Sequence, residues 1–242
     1  MPPSKQLMAK TRAGTTLVSR DFYLDPPDLV AQKLLGKLLV RGDMVGRIVE
    51  VEAYFGEADA AAHAFAGKTA RNAVLFGPKG HAYVYFIYGM YFCLNVSCDR
   101  EGRAGGILFR ALEPIGGLEA MARNRGLTRV AALTSGPGRL CQAFGVTRER
   151  DNGADLTSPK SDLQIRDEGF VASDVLVTPR IGITKDADRL ARFLLAGNPF
   201  VSKRGACFPG PTKAQGNRTG GPRSPWRTRD ENDGRSSTNA LS

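Results

Sequence analysis

The chain has 242 residues, which is enough for one domain of ordinary size or for two small ones. Hydrophobic residues make up 42% of the sequence, so a sizeable core can form, and the formal net charge of +10 favours a polyanionic partner such as nucleic acid. Four cysteines without a C-x-x-C pair support neither a disulfide scaffold nor a zinc ribbon, and two histidines are too few for a His-rich metal site, so we predict no metal.

The two ends of the chain are predicted to lie outside its folded domain. The first residues contain no apolar stretch of the kind that a secretory signal has, so we expect a protein that is not secreted and a short, basic, flexible arm over residues 1–18. Residues 205–242 contain six glycines and four prolines but neither valine nor isoleucine, which favours a disordered, basic tail. The folded domain is therefore predicted to span residues 19–204, and its longest apolar stretch is too short to cross a membrane.

Within this domain, helices and strands are predicted in an irregular order. The patterns predict, in chain order, a helix that begins at Asp25 and ends before Gly36, strands over Lys37–Arg41 and Gly46–Phe55, a short helical segment around Asp59–Phe65, an aromatic strand pair around Gly89, a strand over Gly106–Glu113, helices over Leu118–Arg125 and from Ser135 to Gly145, strands near Leu163–Arg166 and Val175–Gly182, and a last helix over Asp186–Leu195. Because the two kinds of element do not alternate regularly, the pattern favours a mixed α/β (α+β) domain over a doubly wound sheet.

Two carboxylates share one face of the second predicted strand. A period of two places Ile48, Glu50, Glu52 and Tyr54 on that face and Val51 on the opposite, apolar one. The face is either the solvated side of a half-exposed strand, or it carries a glutamate beside an aromatic ring that acts as a general base.

An aromatic run follows, with rings on both faces of a predicted strand. Tyr83 and Tyr85 share one face, and Phe86 and Tyr88 share the other. The run is either a tyrosine-rich core or a platform on which nucleic-acid bases stack. Gly89 can force a sharp turn, which would expose an aromatic tip of the kind that enters a duplex.

Several cationic or titratable residues are ambiguous by themselves. Arg110 lies between two leucines on a strand, so it is either part of a buried ion pair or an arginine that orients a carboxylate or water, with Glu52 as the candidate partner. His63 is typical of a surface or capping histidine. Arg71 lies in a basic loop and Arg139 at a predicted helix start, where phosphate contacts are possible.

Five segments taken together resemble a known family. EVEAYFGEADAAAHAF, RNAVLFGPKGHAYVYFIYGMYFCLNV, LFRALEP, SGPGRLCQAFG and TPRIGI occur in this order between Glu50 and Ile183. This arrangement resembles the alkyladenine (3-methyladenine, or methylpurine) DNA glycosylase family over about Ser19–Arg204. The resemblance implies a single domain with a curved antiparallel β-sheet flanked by helices, similar to the C-terminal domain of methionyl-tRNA formyltransferase.

The resemblance also implies an activity in base-excision repair. Enzymes of this family flip alkylated or deaminated purines (3-methyladenine, 7-methylguanine, hypoxanthine, ethenoadenine) out of duplex DNA and hydrolyse the N-glycosidic bond with a Glu-activated water. The resemblance implies an enzyme without metal or cofactor, and we predict that it is monofunctional and leaves an abasic site. We therefore expect a monomer whose partner is double-stranded DNA with damaged purines, located in the cytoplasm with the nucleoid of a bacterium or in a eukaryotic nucleus. The alternative is a non-catalytic nucleic-acid-binding protein on the same fold.

The catalytic roles of the family fall on three positions. The general base matches Glu52, the arginine that helps to hold the attacking water matches Arg110, and a backbone carbonyl matches that of Ile181.

The remaining roles concern the damaged base and the DNA around it. Tyr54 and Tyr85 match the aromatic residues that stack on the base, His63 closes the pocket, and Asn95 crowds the exocyclic amine of normal guanine. The intercalating tyrosine matches Tyr88. Weaker DNA contacts are expected from the following residues: Met90, Tyr91, Arg71 and Arg139.

Overall fold

The computed structural model describes residues 14–202. Its strands are β1 (Thr16–Leu17), β2 (Leu38–Arg41), β3 (Met44–Tyr54), β4 (Ala82–Ile87), β5 (Tyr91–Cys98), β6 (Gly105–Gly116), β7 (Leu163–Asp167), β8 (Val175–Pro179) and β9 (Leu190–Leu195). Its α-helices are α1 (Pro27–Leu34), α2 (Ala73–Phe76), α3 (Leu118–Arg125), α4 (Pro137–Phe144) and α5 (Arg148–Asp151). Short 3-10 helices cover Arg20–Tyr23, Gly56–Ala58 and Val130–Ala132.

The strands form one antiparallel sheet around β3. The order along the sheet is β1-β7-β2-β3-β6-β5-β4, while β9 pairs with the second half of β3 and β8 pairs with β9. The pairing of β3 with β6 shifts register on both sides of Glu50, and such bulges bend a strand and increase its twist. The predicted curved antiparallel sheet with flanking helices is confirmed.

The helices cover the sheet with apolar faces. In α1, Val30, Ala31 and Leu34 are buried, and in α4 the buried face includes Leu140 and Phe144. Proline at the start of each helix has its φ angle fixed for helix formation and lacks an N–H that would otherwise have no partner. Together with the apolar residues of β3, β5 and β6, these helices form the main hydrophobic core.

The predicted last helix over Asp186–Leu195 is wrong. Its second half is strand β9, which pairs with both β3 and β8. A short apolar run cannot be assigned to a strand or a helix from periodicity alone. In β9, Ala191 and Phe193 face the main core, whereas Arg192 between them binds Glu50, so the alternation has the period of a strand.

The predicted helical segment around Asp59–Phe65 is also wrong, since turns follow a single 3-10 turn there. The Asp59 carboxylate accepts hydrogen bonds from the backbone N–H groups of Phe55 (3.1 Å) and Ala61 (3.0 Å). Local bonds of this kind compete with the helical hydrogen-bond pattern.

The ends of the described range bear on the predicted limits of the domain. Thr16 and Leu17 pair with β7, and Val18 is buried in the main core, although the predicted arm includes all three. The rest of that arm and the predicted tail over 205–242 lie outside the described residues. Over residues 14–202, no helix has the length and apolar character needed to cross a membrane.

Candidate active site

A cavity of about 260 Å³ opens where β3, β4, β5 and β6 meet the loop that follows β8. Its lining combines carboxylate, guanidinium and aromatic groups that lie far apart in the sequence. Eight of the residues predicted to form the site line it, namely Glu52, Tyr54, His63, Tyr85, Tyr88, Asn95, Arg110 and Ile181. The cavity is slightly below the range of roughly 300–1,000 Å³ that is typical of small-molecule sites, so a single planar ring system suits it.

Glu52 lies at the floor of this cavity, and its side chain is fully buried. Its Oε1 atom accepts hydrogen bonds from the backbone N–H of Ile181 (2.8 Å) and lies 3.0 Å from Arg110 Nη1. Its Oε2 atom accepts a hydrogen bond from the Tyr54 hydroxyl at 2.9 Å. The interpretation of this face as solvated is therefore wrong, and the expected contact between Glu52 and Arg110 is confirmed.

A second buried carboxylate, that of Glu50, lies behind Glu52. Its Oε1 atom accepts hydrogen bonds from Arg110 Nε (2.9 Å), Arg192 Nε (2.6 Å) and the Ser202 hydroxyl (2.8 Å), and its Oε2 atom accepts one from the backbone N–H of Ser202 (2.6 Å). The Arg110 guanidinium thus lies between both carboxylates. Because two carboxylates face two guanidiniums, the buried charges balance, which limits the large cost of burying an ion without a partner.

The bulge at Glu50 explains the faces of β3. Simple alternation predicts Ile48 on the side of the two glutamates, but Ile48 and Val49 both belong to the hydrophobic core. The register shifts on both sides of Glu50 allow this change, so that Glu50 and Glu52 turn toward Arg110 while the residues before them pack into the core.

Tyr54 forms one wall of the cavity. Burial, followed by the charge of Glu52, raises the pKa of the Tyr54 hydroxyl well above its usual value, so the group stays protonated and donates to Glu52. The Arg180 guanidinium stacks on the ring, with its central carbon 4.6 Å from the ring centroid.

His63 and two tyrosines form another part of the wall. The His63 ring meets that of Tyr85 edge-on at a centroid distance of 4.4 Å, and its Nδ1 atom lies 2.9 Å from the Tyr83 hydroxyl. Burial and the nearby Arg71 lower the pKa of His63, which favours the neutral imidazole at pH 7. Burial raises the pKa of Tyr85 well above its usual value, so this ring is also neutral.

Asn95 and Tyr83 are connected at the inner end of the cavity. The Asn95 side chain donates to the backbone carbonyl of Tyr83 at 3.1 Å, and it is almost completely buried. The role of Tyr83 as the partner of His63 and Asn95 is absent from the site predicted by resemblance. The aromatic run already indicated that this tyrosine shares a face with Tyr85.

The β4–β5 hairpin carries Tyr88 to the rim of the cavity. Tyr88 and Gly89 both have positive φ angles, of 52° and 69°, which confirms the predicted sharp turn. A positive φ is uncommon for a bulky residue and marks a turn that the surrounding structure enforces. Tyr88 is 65% exposed and Met90 is 49% exposed, so the tip presents apolar side chains to solvent.

The other predicted DNA contacts lie outside the cavity lining. Arg71 is exposed, whereas Arg139 is half-buried and donates to the Ser135 hydroxyl at 3.3 Å. Tyr91 is half-buried, and its ring lies so close to Gly138 that an added methyl group would stand 3.1 Å from it. Helix α4 therefore packs tightly against the start of β5, next to the tip of the hairpin.

A buried ion pair that the sequence analysis did not identify lies behind Tyr54. The side chains of Asp59 and Arg180 are both fully buried and joined by two hydrogen bonds, one of them 2.9 Å long. Both residues lie in the segments that resemble the family, but nothing in the sequence indicated a contact between them, because 121 residues separate them. Arg180 directly precedes Ile181, so this pair fixes the segment whose N–H binds Glu52.

Comparison with known proteins identifies the family to which this chain belongs. The family model described as methylpurine-DNA glycosylase (MPG) matches residues 21–199. A protein of Koribacter versatilis named "Putative 3-methyladenine DNA glycosylase" is 62% identical over 189 residues, which cover 76% of this chain and 91% of that protein. Proteins with the same name from Rhodopseudomonas palustris and Methanoculleus marisnigri are 47% and 46% identical, over 76% of this chain and 89% and 97% of their own lengths. The chain belongs to the methylpurine-DNA glycosylase family.

Proposed function

We propose that this protein is a monofunctional DNA glycosylase, which removes alkylated or deaminated purines from duplex DNA and leaves an abasic site. The observation that carries the proposal is a buried carboxylate, Glu52, at the floor of an aromatic cavity of base size. The names of the relatives, which refer to 3-methyladenine, support the substrate class.

Because the cavity has room for a single base and not for a duplex, the target base has to leave the DNA double helix to enter it. A purine inside a duplex is covered by its neighbours, so an enzyme that acts on its glycosidic bond has to rotate the nucleotide outward, at a cost of a few kcal/mol. In our proposal, Tyr88 enters the gap that the nucleotide leaves and holds the opened duplex. Its exposure at the tip of a sharp turn suits this role.

The aromatic walls suit a flipped purine, and a cationic one best. In our proposal, a purine stacks between Tyr54 on one side and His63 with Tyr85 on the other, all three of which line the cavity. An aromatic face attracts a cation by about 0.5–2 kcal/mol. Alkylated purines such as 3-methyladenine and 7-methylguanine carry a positive charge, whereas hypoxanthine gains from stacking alone.

Glu52 is proposed to act as the general base. A carboxylate has about four acceptor positions, and the described partners of Glu52 occupy two on Oε1 and one on Oε2, which leaves room for a water on Oε2. The oxygen of this water attacks C1′ of the sugar while its proton passes to the carboxylate. The N-glycosidic bond breaks, and its electron pair leaves with the purine.

Two neighbours of Glu52 support this step. Arg110, which is anchored by Glu50, helps to hold the carboxylate and the water in place. The negative charge of Glu52 also stabilises the oxocarbenium-like sugar, as carboxylates do in glycoside hydrolysis. For Ile181 the proposed contact is its backbone carbonyl on the water, while its N–H binds Glu52.

A non-catalytic nucleic-acid-binding protein on this fold is the second candidate. The exposed hairpin and the basic net charge would suit it equally. Binding alone, however, has no use for a carboxylate buried at the end of the base-sized cavity, and burying one costs stability unless it is paired. The position of Glu52 therefore favours the enzyme.

The deciding experiment uses a duplex with one hypoxanthine and, separately, methylated DNA. We expect the wild-type protein to release the damaged base and to leave sites that break only after alkali, whereas Glu52→Gln should bind lesion DNA but excise about 10²–10⁴-fold more slowly. Glu119→Gln is the matched control, because the Glu119 side chain on α3 is 95% exposed.

Each alternative outcome removes a different part of the proposal. Normal turnover by Glu52→Gln would remove Glu52 as the base. Strand breaks without alkali would show that the enzyme is not monofunctional. If the wild-type protein binds lesion DNA but releases no base from either substrate, the non-catalytic candidate is correct.

A further inference from the structure

The buried Asp59–Arg180 pair stands directly behind the wall of the cavity. Tyr54 lines the cavity, but Arg180, whose side chain is fully buried, does not. Since the Arg180 guanidinium lies 4.6 Å from the Tyr54 ring centroid, the ring separates this cation from the space in which a base would stack. One aromatic face is thus already occupied by a cation.

Arg180 connects the cavity wall at Tyr54 with the segment that contacts Glu52. It donates to the backbone carbonyl of Ala53 at 3.0 Å, next to Tyr54. Its own successor, Ile181, donates to Glu52. The guanidinium therefore holds the wall of the cavity and the segment that contacts the carboxylate in one arrangement.

The position of Arg180 conflicts with the proposed substrates. A cationic purine stacked on the other face of Tyr54 would be separated from the positive charge of Arg180 only by the tyrosine ring. Inside a protein, where the effective dielectric constant is lower than that of water, this repulsion between like charges would weaken the binding of the cationic base. A neutral purine such as hypoxanthine would not experience this repulsion.

Asp59 removes the conflict. Its carboxylate binds the Arg180 guanidinium through both oxygens, and the backbone N–H groups of Phe55 and Ala61 hold it in place. Burial would raise the pKa of Asp59, but the bonds from Arg180 and these N–H groups outweigh burial and lower it. Burial likewise opposes the charge of Arg180, but the contacts with Asp59 outweigh it and raise the pKa of Arg180. Both groups are therefore ionised, and their charges cancel at close range.

We propose that Asp59 is a specificity-determining residue, which neutralises Arg180 so that the Tyr54 wall accepts cationic purines. The inference rests on the proposed function and deepens it, because it assigns the preference for a charged base to a pair of residues that does not touch the base. Asp59 acts through Arg180 and Tyr54 and is a positioning residue, not a catalytic one.

The test compares single-turnover excision of 7-methylguanine, which is cationic, with that of hypoxanthine, which is neutral, in otherwise identical duplexes. Asp59→Asn leaves Arg180 without its counter-charge, so we expect the ratio of the two rates to fall about tenfold, which corresponds to ~1.4 kcal/mol. Arg180→Gln leaves the Asp59 carboxylate behind the ring, so the ratio should rise. The double variant Asp59→Asn with Arg180→Gln should restore the ratio to within about threefold of the wild-type value.

Opposite signs distinguish an electrostatic role from structural damage. Both single variants should slow excision overall, since both loosen the Ile181 segment, but a loosened pocket would change the ratio in the same direction in each. If one single variant does not fold, the direction in which the other changes the ratio of the two excision rates, together with the ratio for the double variant, still tests the inference. Equal ratios in all variants, or shifts of the same sign, would overturn the inference.

A second stacked arginine provides the control. Arg189 lies 3.9 Å over the ring of Phe55, outside the cavity lining, so Arg189→Gln removes a similar contact without changing the charge behind Tyr54. We expect this variant to keep the wild-type ratio. If the wild-type protein releases neither base, the proposed function fails, and this outcome differs from every result that concerns Asp59 alone.

Discussion

The floor of the cavity and its rim both depart from the usual distribution of side chains, but in opposite ways. The floor buries charged side chains, whereas the rim exposes apolar ones. At the floor, in which we include Glu50 directly behind Glu52, the charged residues Glu50, Glu52 and Arg110 are completely or almost completely buried. At the rim, Tyr88 and Met90 are large and apolar, yet about half or more of each side chain is exposed. Both features cost stability, since charges lose their hydration when buried and exposed apolar groups gain nothing from the hydrophobic effect.

The two regions differ in what compensates for that cost. The charges at the floor are bound to each other across β3, β6 and β9, so their positions are fixed before any substrate arrives. The apolar side chains of Tyr88 and Met90 at the rim stay largely exposed to solvent, and a nucleic acid that contacts the rim would cover this surface. We infer that the floor is built for a fixed geometry and the rim for contact with a partner, and the following predictions test this division.

The largest effect is expected when the floor loses one charge. Glu50→Gln leaves Arg192 and Arg110 facing a single remaining carboxylate, so the free energy of unfolding should fall by about 3–5 kcal/mol. Urea denaturation measures this loss. Glu113→Gln is the control, because Glu113 pairs with Arg47 in a partly exposed position and should change the free energy by less than ~1 kcal/mol. Equal losses in both variants would contradict the special status of the floor.

At the rim, the expected effect moves from stability to binding. Tyr88→Ser should weaken the affinity for lesion DNA about tenfold, because stacking on a base is worth about 1–3 kcal/mol, and should change the free energy of unfolding by less than ~1 kcal/mol. Titration with a fluorescent lesion duplex measures the affinity.

Phe86→Ser is the control for the rim. Phe86 is an exposed aromatic residue of the same hairpin, but it stacks on Phe92 and does not line the cavity. We expect it to leave the preference for lesion over undamaged DNA unchanged. If the two serine variants behave alike, the hairpin contributes through general surface character and not through a wedge at Tyr88.

A smaller effect is expected between the floor and the rim, at Asn95. This buried side chain narrows the cavity and is fixed by its bond to the Tyr83 carbonyl. Asn95→Ser makes room for the exocyclic amine of guanine, so release of normal guanine should rise about fivefold, in keeping with the ~1 kcal/mol that one group in a pocket contributes to discrimination. Base release from undamaged duplex DNA measures it, and unchanged release would contradict the role of Asn95.

Residues of both the floor and the rim could be predicted from the sequence where the signal is local. Glu52, Tyr54 and Tyr88 lie in short segments in which local alternation, a turn glycine and the family resemblance agree. The pairing of Arg110 with Glu52 could be predicted because an arginine between leucines on a strand requires a partner.

Contacts between distant segments escaped prediction for a physical reason. The Asp59–Arg180 pair joins residues that are 121 positions apart in the sequence. The sequence around each of them looks the same as that around a solvent-exposed charged residue. For β9, the apolar run itself was ambiguous, and only its pairing with β3 and β8 determines that it is a strand. The burial of Glu50 likewise depends on Arg192 and Ser202, which arrive from the far end of the described chain.

The smallest effect concerns the pH dependence of stability, and it compares a buried carboxylate with an exposed one. Because the pKa of Asp59 is lowered from its usual 3.8, this group contributes stability above pH 3.8 that is lost as the pH falls through its folded value. The sign follows because the unfolded chain binds a proton at a pH at which the folded chain does not yet bind one. We therefore expect the difference in the free energy of unfolding between the wild-type protein and Asp59→Asn to shrink from pH 6 to pH 3, as measured by urea denaturation at each pH. For Glu119→Gln, at a largely exposed position, the difference should stay near zero throughout. A constant difference for Asp59→Asn would mean that its carboxylate is not held in the ionised form by Arg180, and the electrostatic account of the cavity wall would then fail together with it.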